Sequence, residues 1–347
     1  MKYIDMHCDT ISDIWYATLS GDRGNQSLRR NHLMIDLEKL TKGDCLCQNF
    51  GLFVKLHHFL EYDKDPYRSD SEKVTGDLAP YETVQRLIGV FREQIAANAD
   101  RIRQVTNGVQ IRENEKAGRI SALMTIEEGG CCEGSLDHLQ ALYDAGARMM
   151  TLTWNYENEL AYPNYPDEKH YFAFEPVNDH GLKPRGQEFV RRMGELGMLV
   201  DVSHLSDAGF MDVAAAVKGP FVASHSNARA VCGVSRNLTD EMIRMLAEHG
   251  GVMGLNFCKD FLAENLGRTR HEMCEAAARH AKHIIEVGGE DCIGLGSDFD
   301  GIGGYDDMDA TVLSELAETL EQAGLSNRQV EKIFYGNVLR VYDEVLR

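Results

Sequence analysis

The chain has 347 residues, and 36 Lys and Arg against 55 Asp and Glu give it a formal charge of −19. That balance argues against a nucleic-acid partner, because such binding takes most of its affinity from cations that neutralise phosphates. With 43% hydrophobic and 26% charged residues, the composition supplies enough apolar material for a sizeable core and excludes wholesale disorder.

Taken in chain order, short apolar runs predict eight strands: residues 3–7 (YIDMH), 49–54 (NFGLFV), 121–127 (SALMTIE), 147–153 (ARMMTLT), 198–203 (MLVDVS), 220–224 (PFVAS), 250–257 (GGVMGLNF) and 292–298 (CIGLGSD). Between them, apolar residues recur at spacings of three and four over 136–145, 186–196, 206–217, 239–249 and 270–287, the pattern of helices with one buried face. Strands alternating with helices, and apolar on both faces, predict an α/β fold: a single (β/α)8 TIM barrel, one domain over residues 1–347. An open doubly wound sheet is the rival arrangement. Two loop insertions interrupt the repeat. The first, about 56–82, is charged and punctuated by Gly and Pro. The second, about 155–186, holds four of the seven prolines with Tyr156, Tyr162, Tyr165, Tyr171, Phe172 and Phe174, a composition that predicts a packed loop over the barrel mouth.

No apolar run approaches the ~18 residues of a membrane helix, and the opening MKYIDMHCDT lacks the basic-then-apolar layout of a signal peptide. The expectation is a cytoplasmic protein with no membrane partner. Nine cysteines without a CxxC pair suit reduced thiols used for packing.

The polar residues fall where the strands end. His7 and Asp9 follow the first strand as HCD, Glu127 ends the third, His204 the fifth, His225 the sixth and Asp298 the eighth. In a barrel these ends converge on one mouth, where the active sites of this fold lie. Side chains alternate with period two, so His7 and Asp9 share a side and can hold one divalent ion. Glu127 has two oxygens and can bridge to a second ion completed by His204 and His225, with Asp298 left over as a base. A lone His at a strand end is more often a hydrogen-bonded structural residue. Five strand ends with compatible chemistry shift that balance, because ionisable groups facing an interior are otherwise costly. His57, His58, His170 and His180 do not share this placement.

The segments HCD, TIEEGG around Glu127, MTLTWN around Trp154, VDVSH ending at His204, ASHSNARAVCGVSRN around His225 and Arg236, and GLGSDFDG around Asp298 occur in the order seen in the membrane (renal) dipeptidase family of zinc peptidases. The chain resembles that family over residues 7 to 301, with the features of a bacterial-type member. The resemblance implies an amidohydrolase-like, metal-dependent hydrolase barrel and a binuclear zinc dipeptidase, with two Zn2+ per chain: one on His7 and Asp9, one on His204 and His225, and Glu127 between them. It further implies that Arg236 holds the free C-terminal carboxylate of a dipeptide and that Asp298 transfers the proton. A hydroxide shared by the ions would attack the peptide carbonyl. Trp154 stands where mammalian members have a His, and Cys258 where they have a Tyr, so substrate preference does not carry over. Trp154, Asn155 and Cys258 are expected to line the substrate pocket, and a homodimer is expected from the family alone. The same metal cluster could hydrolyse N-acyl amino acids or other small amides and esters, and a metal-stabilised barrel acting as a binding protein is the non-enzymatic alternative.

Overall fold

Two long strands with both faces buried set the architecture. Residues 45–53 (CLCQNFGLF) and 120–127 (ISALMTIE) pair in parallel from Cys47↔Ser121 to Phe53↔Glu127, as expected where helices cover a parallel sheet. The computed structural model describes residues 1–54, 56, 78–164, 179–267, 269–303 and 308–347. Its strands are β1 (Tyr3–Asp5), β2 (Cys45–Phe53), β3 (Ile102–Val105), β4 (Ile120–Glu127), β5 (Met149–Thr151), β6 (Leu199–Asp201), β7 (Val222–Ala223), β8 (Val252–Leu255) and β9 (Ile293–Leu295). All pairings are parallel, and the ring runs β1, β2, β4, β5, β6, β7, β8, β9 and back to β1. This is the expected closed eight-stranded barrel, and the open sheet is excluded.

The ninth strand was not expected. β3 pairs with Ile120–Leu123 of β4, whereas β5 pairs with Thr125–Glu127. The two share one edge of β4 in succession, and β3 stays outside the ring. Its sequence, IRQV, buries only its two ends, so it carries no apolar run by which to recognise it. The eight predicted runs lie in the right places with different bounds: β2 begins four residues before its run, the run 121–127 falls within β4, and the other six runs are longer than the strands observed.

The main core lies between the strands and the surrounding helices. A second cluster joins Met149, Leu199, Val222 and Val252, each the first residue of its strand, to Val338, Val341 and Tyr342 of the C-terminal helix Asn337–Val345. That helix seals the N-terminal end of the barrel and leaves the opposite end for chemistry. The helix Pro80–Ala97 begins inside the first expected insertion, with Pro at its first position, where the missing N–H costs nothing. Residues 57–77 and 165–178 of the two insertions, including His57, His58, Tyr165, His170, Tyr171, Phe172 and Phe174, lie outside the described residues. All nine cysteines are unpaired, and eight are buried. No helix among the described residues is long and apolar enough to cross a membrane.

Candidate active site

His7 and Asp9 follow β1, Glu127 ends β4, His204 lies three residues beyond β6, His225 two beyond β7, and Asp298 three beyond β9. The barrel brings all six to one mouth. Two backbones must approach closely for His225 to sit there: a Cβ on Gly254 would come 2.1 Å from the Ser224 carbonyl oxygen, and one on Gly296 would come 1.7 Å from it. Only glycine fits at these points. Glu128, His204, Asp298 and Asp300 have positive φ, from 62° to 124°. Such conformations are unfavourable for non-glycine residues, and they gather here at the mouth, where surrounding hydrogen bonds hold them.

Glu127 stands between two groups of side chains that could hold a metal ion. Its Oε2 lies 3.0 Å from His7 Nε2, while its Oε1 lies 3.2 Å from His204 Nε2 and 3.7 Å from His225 Nε2. His7 Nε2 is also 3.5 Å from Asp9 Oδ2 and 3.9 Å from Asp298 Oδ1. Each of the sets His7–Asp9–Glu127 and Glu127–His204–His225 has its ligand atoms within 4.8 Å of one another.

The surrounding hydrogen bonds decide which imidazole nitrogens face inward. His204 Nδ1 lies 2.7 Å from Asn155 Oδ1, and His225 Nδ1 lies 2.7 Å from Ser224 Oγ, whose hydroxyl donates to Asp201 Oδ2 at 2.5 Å. With both Nδ1 atoms donating, both Nε2 atoms are left as bare acceptors, the form that ligates metal. Asp201 also accepts from Thr151 Oγ1, from Ser203 N–H and from Ser224 N–H. Asp5 fixes the backbone around His7, accepting from the His7 N–H, from the N–H and Oγ of Ser297 and from Gln48 Nε2.

Electrostatics point the same way. Burial first, then the nearby positive charges of Arg236 and His7, hold His204 and His225 well below the usual imidazole range and therefore neutral. Burial alone would lower His7 too, but the Glu127 and Asp9 carboxylates raise it well above that range. Asp9 is raised by burial and by Glu127, and Asp298 by burial and then by Asp9 and Glu127, against the pull of His7. Crowded carboxylates beside neutral imidazoles make a cluster short of positive charge. His7 Nε2 and Asp9 Oδ1 are buried with no hydrogen-bond partner among the described residues. The donor set therefore fits divalent cations of the kind that accept nitrogen and carboxylate ligands.

The remaining predicted residues border this cluster. Arg236 is fully buried, with one terminal nitrogen 3.1 Å from His204 Nε2 and the other 3.3 Å from Ser226 Oγ, and its guanidinium lies 5.3 Å from the Phe261 ring centre. Trp154 packs against Phe53 and Tyr156, with its ring 6.0 Å from that of His204. Cys258 packs with Cys232, Val234 and Phe261, and burial next to Asp298 pushes its thiol up to about 12. Asn155, expected in the substrate pocket, uses its oxygen on His204, while its Nδ2 is buried without a partner among the described residues. Asn256, which the motifs did not single out, donates to Asp298 Oδ2 at 2.9 Å. Asp5 could have been found from its period-two spacing to His7. Ser224 adjoins His225 in sequence, but its bond to Asp201 and that of Asn256 to Asp298 cross between strands and carry no local signature.

The model of the membrane dipeptidase family, peptidase family M19, matches residues 1–347. An uncharacterized protein from the pqqA 5′ region of Klebsiella pneumoniae is 32% identical over 279 residues, covering 78% of this chain and 98% of that protein. An uncharacterized dipeptidase of Schizosaccharomyces pombe is 30% identical over 320 residues, covering 88% and 71%. Among solved structures, the metallopeptidase dipeptidase AC superposes with a TM-score of 0.84 at 25% identity, over 99% of this chain and 98% of that one. A Rhodobacter sphaeroides metallopeptidase, solved with a phosphinate mimic of L-Ala-D-Ala, shares the fold with a TM-score of 0.83 at 24% identity, over 99% of each chain. The family model over the whole chain and the 32% identical relative place the chain in the membrane dipeptidase family of metallopeptidases.

Proposed function

We propose that this metal-dependent dipeptidase holds two zinc ions, one on His7 and Asp9 and one on His204 and His225, with Glu127 shared, and hydrolyses dipeptides that carry a free C-terminal carboxylate. The observation that carries this reading is the division of Glu127, one oxygen toward each ligand group. When bound, the ions supply Lewis-acid polarisation of the scissile carbonyl and lower the pKa of a water toward 7.

The chain's own residues do the rest. Asn256 holds one oxygen of Asp298 and leaves Oδ1 turned toward the cluster. From there Asp298 takes the proton of the attacking water and passes it to the leaving amine. Arg236 pairs with the substrate carboxylate and fixes the peptide bond over the cluster. Asn155 Nδ2 is a buried donor available to a substrate oxygen, and Trp154 and Cys258 form apolar walls. An N-acyl amino acid would present the same carboxylate to Arg236.

The test is metal content by elemental analysis together with a panel of L-L and L-D dipeptides, their C-terminal amides and N-acyl amino acids. Two ions per chain are expected, with hydrolysis that favours free dipeptides over their C-terminal amides and over N-acyl amino acids. Less than one ion per chain, with no turnover after zinc addition, would sink the proposal.

A further inference from the structure

Glu128 follows Glu127 directly, yet its carboxylate is spent elsewhere. It is fully buried, with φ at 124°. Its Oε2 accepts the Trp154 N–H at 2.7 Å, and its Oε1 accepts the Gly130 N–H at 2.6 Å and Asn158 Nδ2 at 2.5 Å. Asn158 in turn gathers its own loop: its Nδ2 donates to the Leu152 carbonyl at 2.8 Å, and its Oδ1 accepts from the N–H groups of Leu160 and Ala161 at 2.7 and 3.1 Å. Inside that loop is Asn155, whose Oδ1 meets His204 Nδ1.

A second buried carboxylate beside Glu127, on a strained backbone, is costly. Burial pushes it up to about 7. A side chain that merely filled space here would need no charge. Three donors converging on both oxygens are what a clamp requires, since hydrogen bonds to an ionised acceptor are the stronger kind.

We propose that Glu128 is a positioning residue for the metal centre: by clamping the 152–161 loop it holds Asn155 against His204 and sets how tightly the His204–His225 half binds its ion, without touching that ion. This rests on the reading of the site given above. An imidazole without an acceptor for its Nδ1–H loses the orientation of its Nε2 lone pair, and losses of such outer partners cost about 10–100-fold in metal affinity.

The experiment is zinc competition against a chelator on the purified holoenzyme. It compares the wild type with Glu128→Gln, Asn155→Ala, and the double variant. Gln preserves size, but its amide must turn an NH2 toward either Trp154 or the Gly130–Asn158 pair. Asn158→Ala keeps Glu128 but removes one of its three donors together with the bonds to Leu152, Leu160 and Ala161, and serves should Glu128→Gln not fold. Each single variant is expected to weaken one of the two zinc steps about 10–100-fold and leave the other unchanged. The double variant should be no weaker than the worse single one, because the residues act through one path. Unchanged zinc steps in folded Glu128→Gln or Asn158→Ala, or additive losses in the double variant, would overturn the inference while leaving the site intact. A wild type with no second zinc step would overturn the site reading and the inference with it.

Discussion

The imidazoles of His204 and His225 meet through their Nε2 atoms, 2.8 Å apart, while the Nδ1 of each is held by another residue. Two bare acceptors at that distance repel unless something positive stands against them, and Arg236 approaches one of them at 3.1 Å. A cation accepting both lone pairs resolves the arrangement.

Replacing His225 by Ala removes one of these lone pairs. Metal affinity at that half is expected to fall by more than the roughly 100-fold that an outer partner can cost. Elemental analysis after dialysis should then find one ion per chain instead of two. Retention of both would show that His225 is not a ligand.

Asp298→Asn keeps the hydrogen-bonding reach of the side chain but cannot accept a proton. The expected outcome is a fall in kcat of about 10²- to 10⁴-fold, with metal content unchanged. Steady-state kinetics on a cleaved dipeptide checks it, and wild-type turnover would remove Asp298 from the mechanism.

Arg236→Ala takes away the buried positive charge assigned to the substrate carboxylate. A loss of about 2 kcal/mol or more in transition-state binding is expected, roughly thirtyfold in kcat/KM. The loss should fall on the free dipeptide and spare its C-terminal amide. Equal effects on the two substrates would contradict the anchoring role.

His280 makes a prediction about stability away from the barrel mouth. It is buried, its Nδ1 accepts the Ala228 N–H at 3.1 Å, and its Nε2 donates to the Leu262 carbonyl at 2.9 Å. Burial lowers it from 6.5 to about 4. Between those values the unfolded chain binds the proton and the folded chain does not. Stability is thus fully present above about pH 6.5 and is lost as pH falls, at about 1.4 kcal/mol per unit. Urea unfolding from pH 7 to 5 should therefore cost the wild type about 2 kcal/mol more than His280→Gln. Parallel pH dependences in the two proteins would contradict this.

The barrel and most of its strands were legible because a parallel strand buried on both faces writes itself as a continuous apolar run. β3 was not, since only Ile102 and Val105 are fully buried there. The ionisable residues of the mouth were legible for a related reason: each stands within four residues of a strand's end, so its place along the barrel axis follows from the chain alone.

The sequence by itself thus determined which residue types reach the mouth, and with them the family. Only the tertiary structure decided that Glu127 divides its oxygens between two groups, that Asn155 serves His204, and that Asp201 reaches His225 through Ser224. It also decided that Glu128 turns to the Trp154 loop. These contacts join residues from different strands and loops, separated by 21 to 49 positions in pairs such as His204 with His225 and with Asn155. No local period encodes them, because they exist only once the β2–β4 pairing has closed the ring and brought the strand ends around one axis.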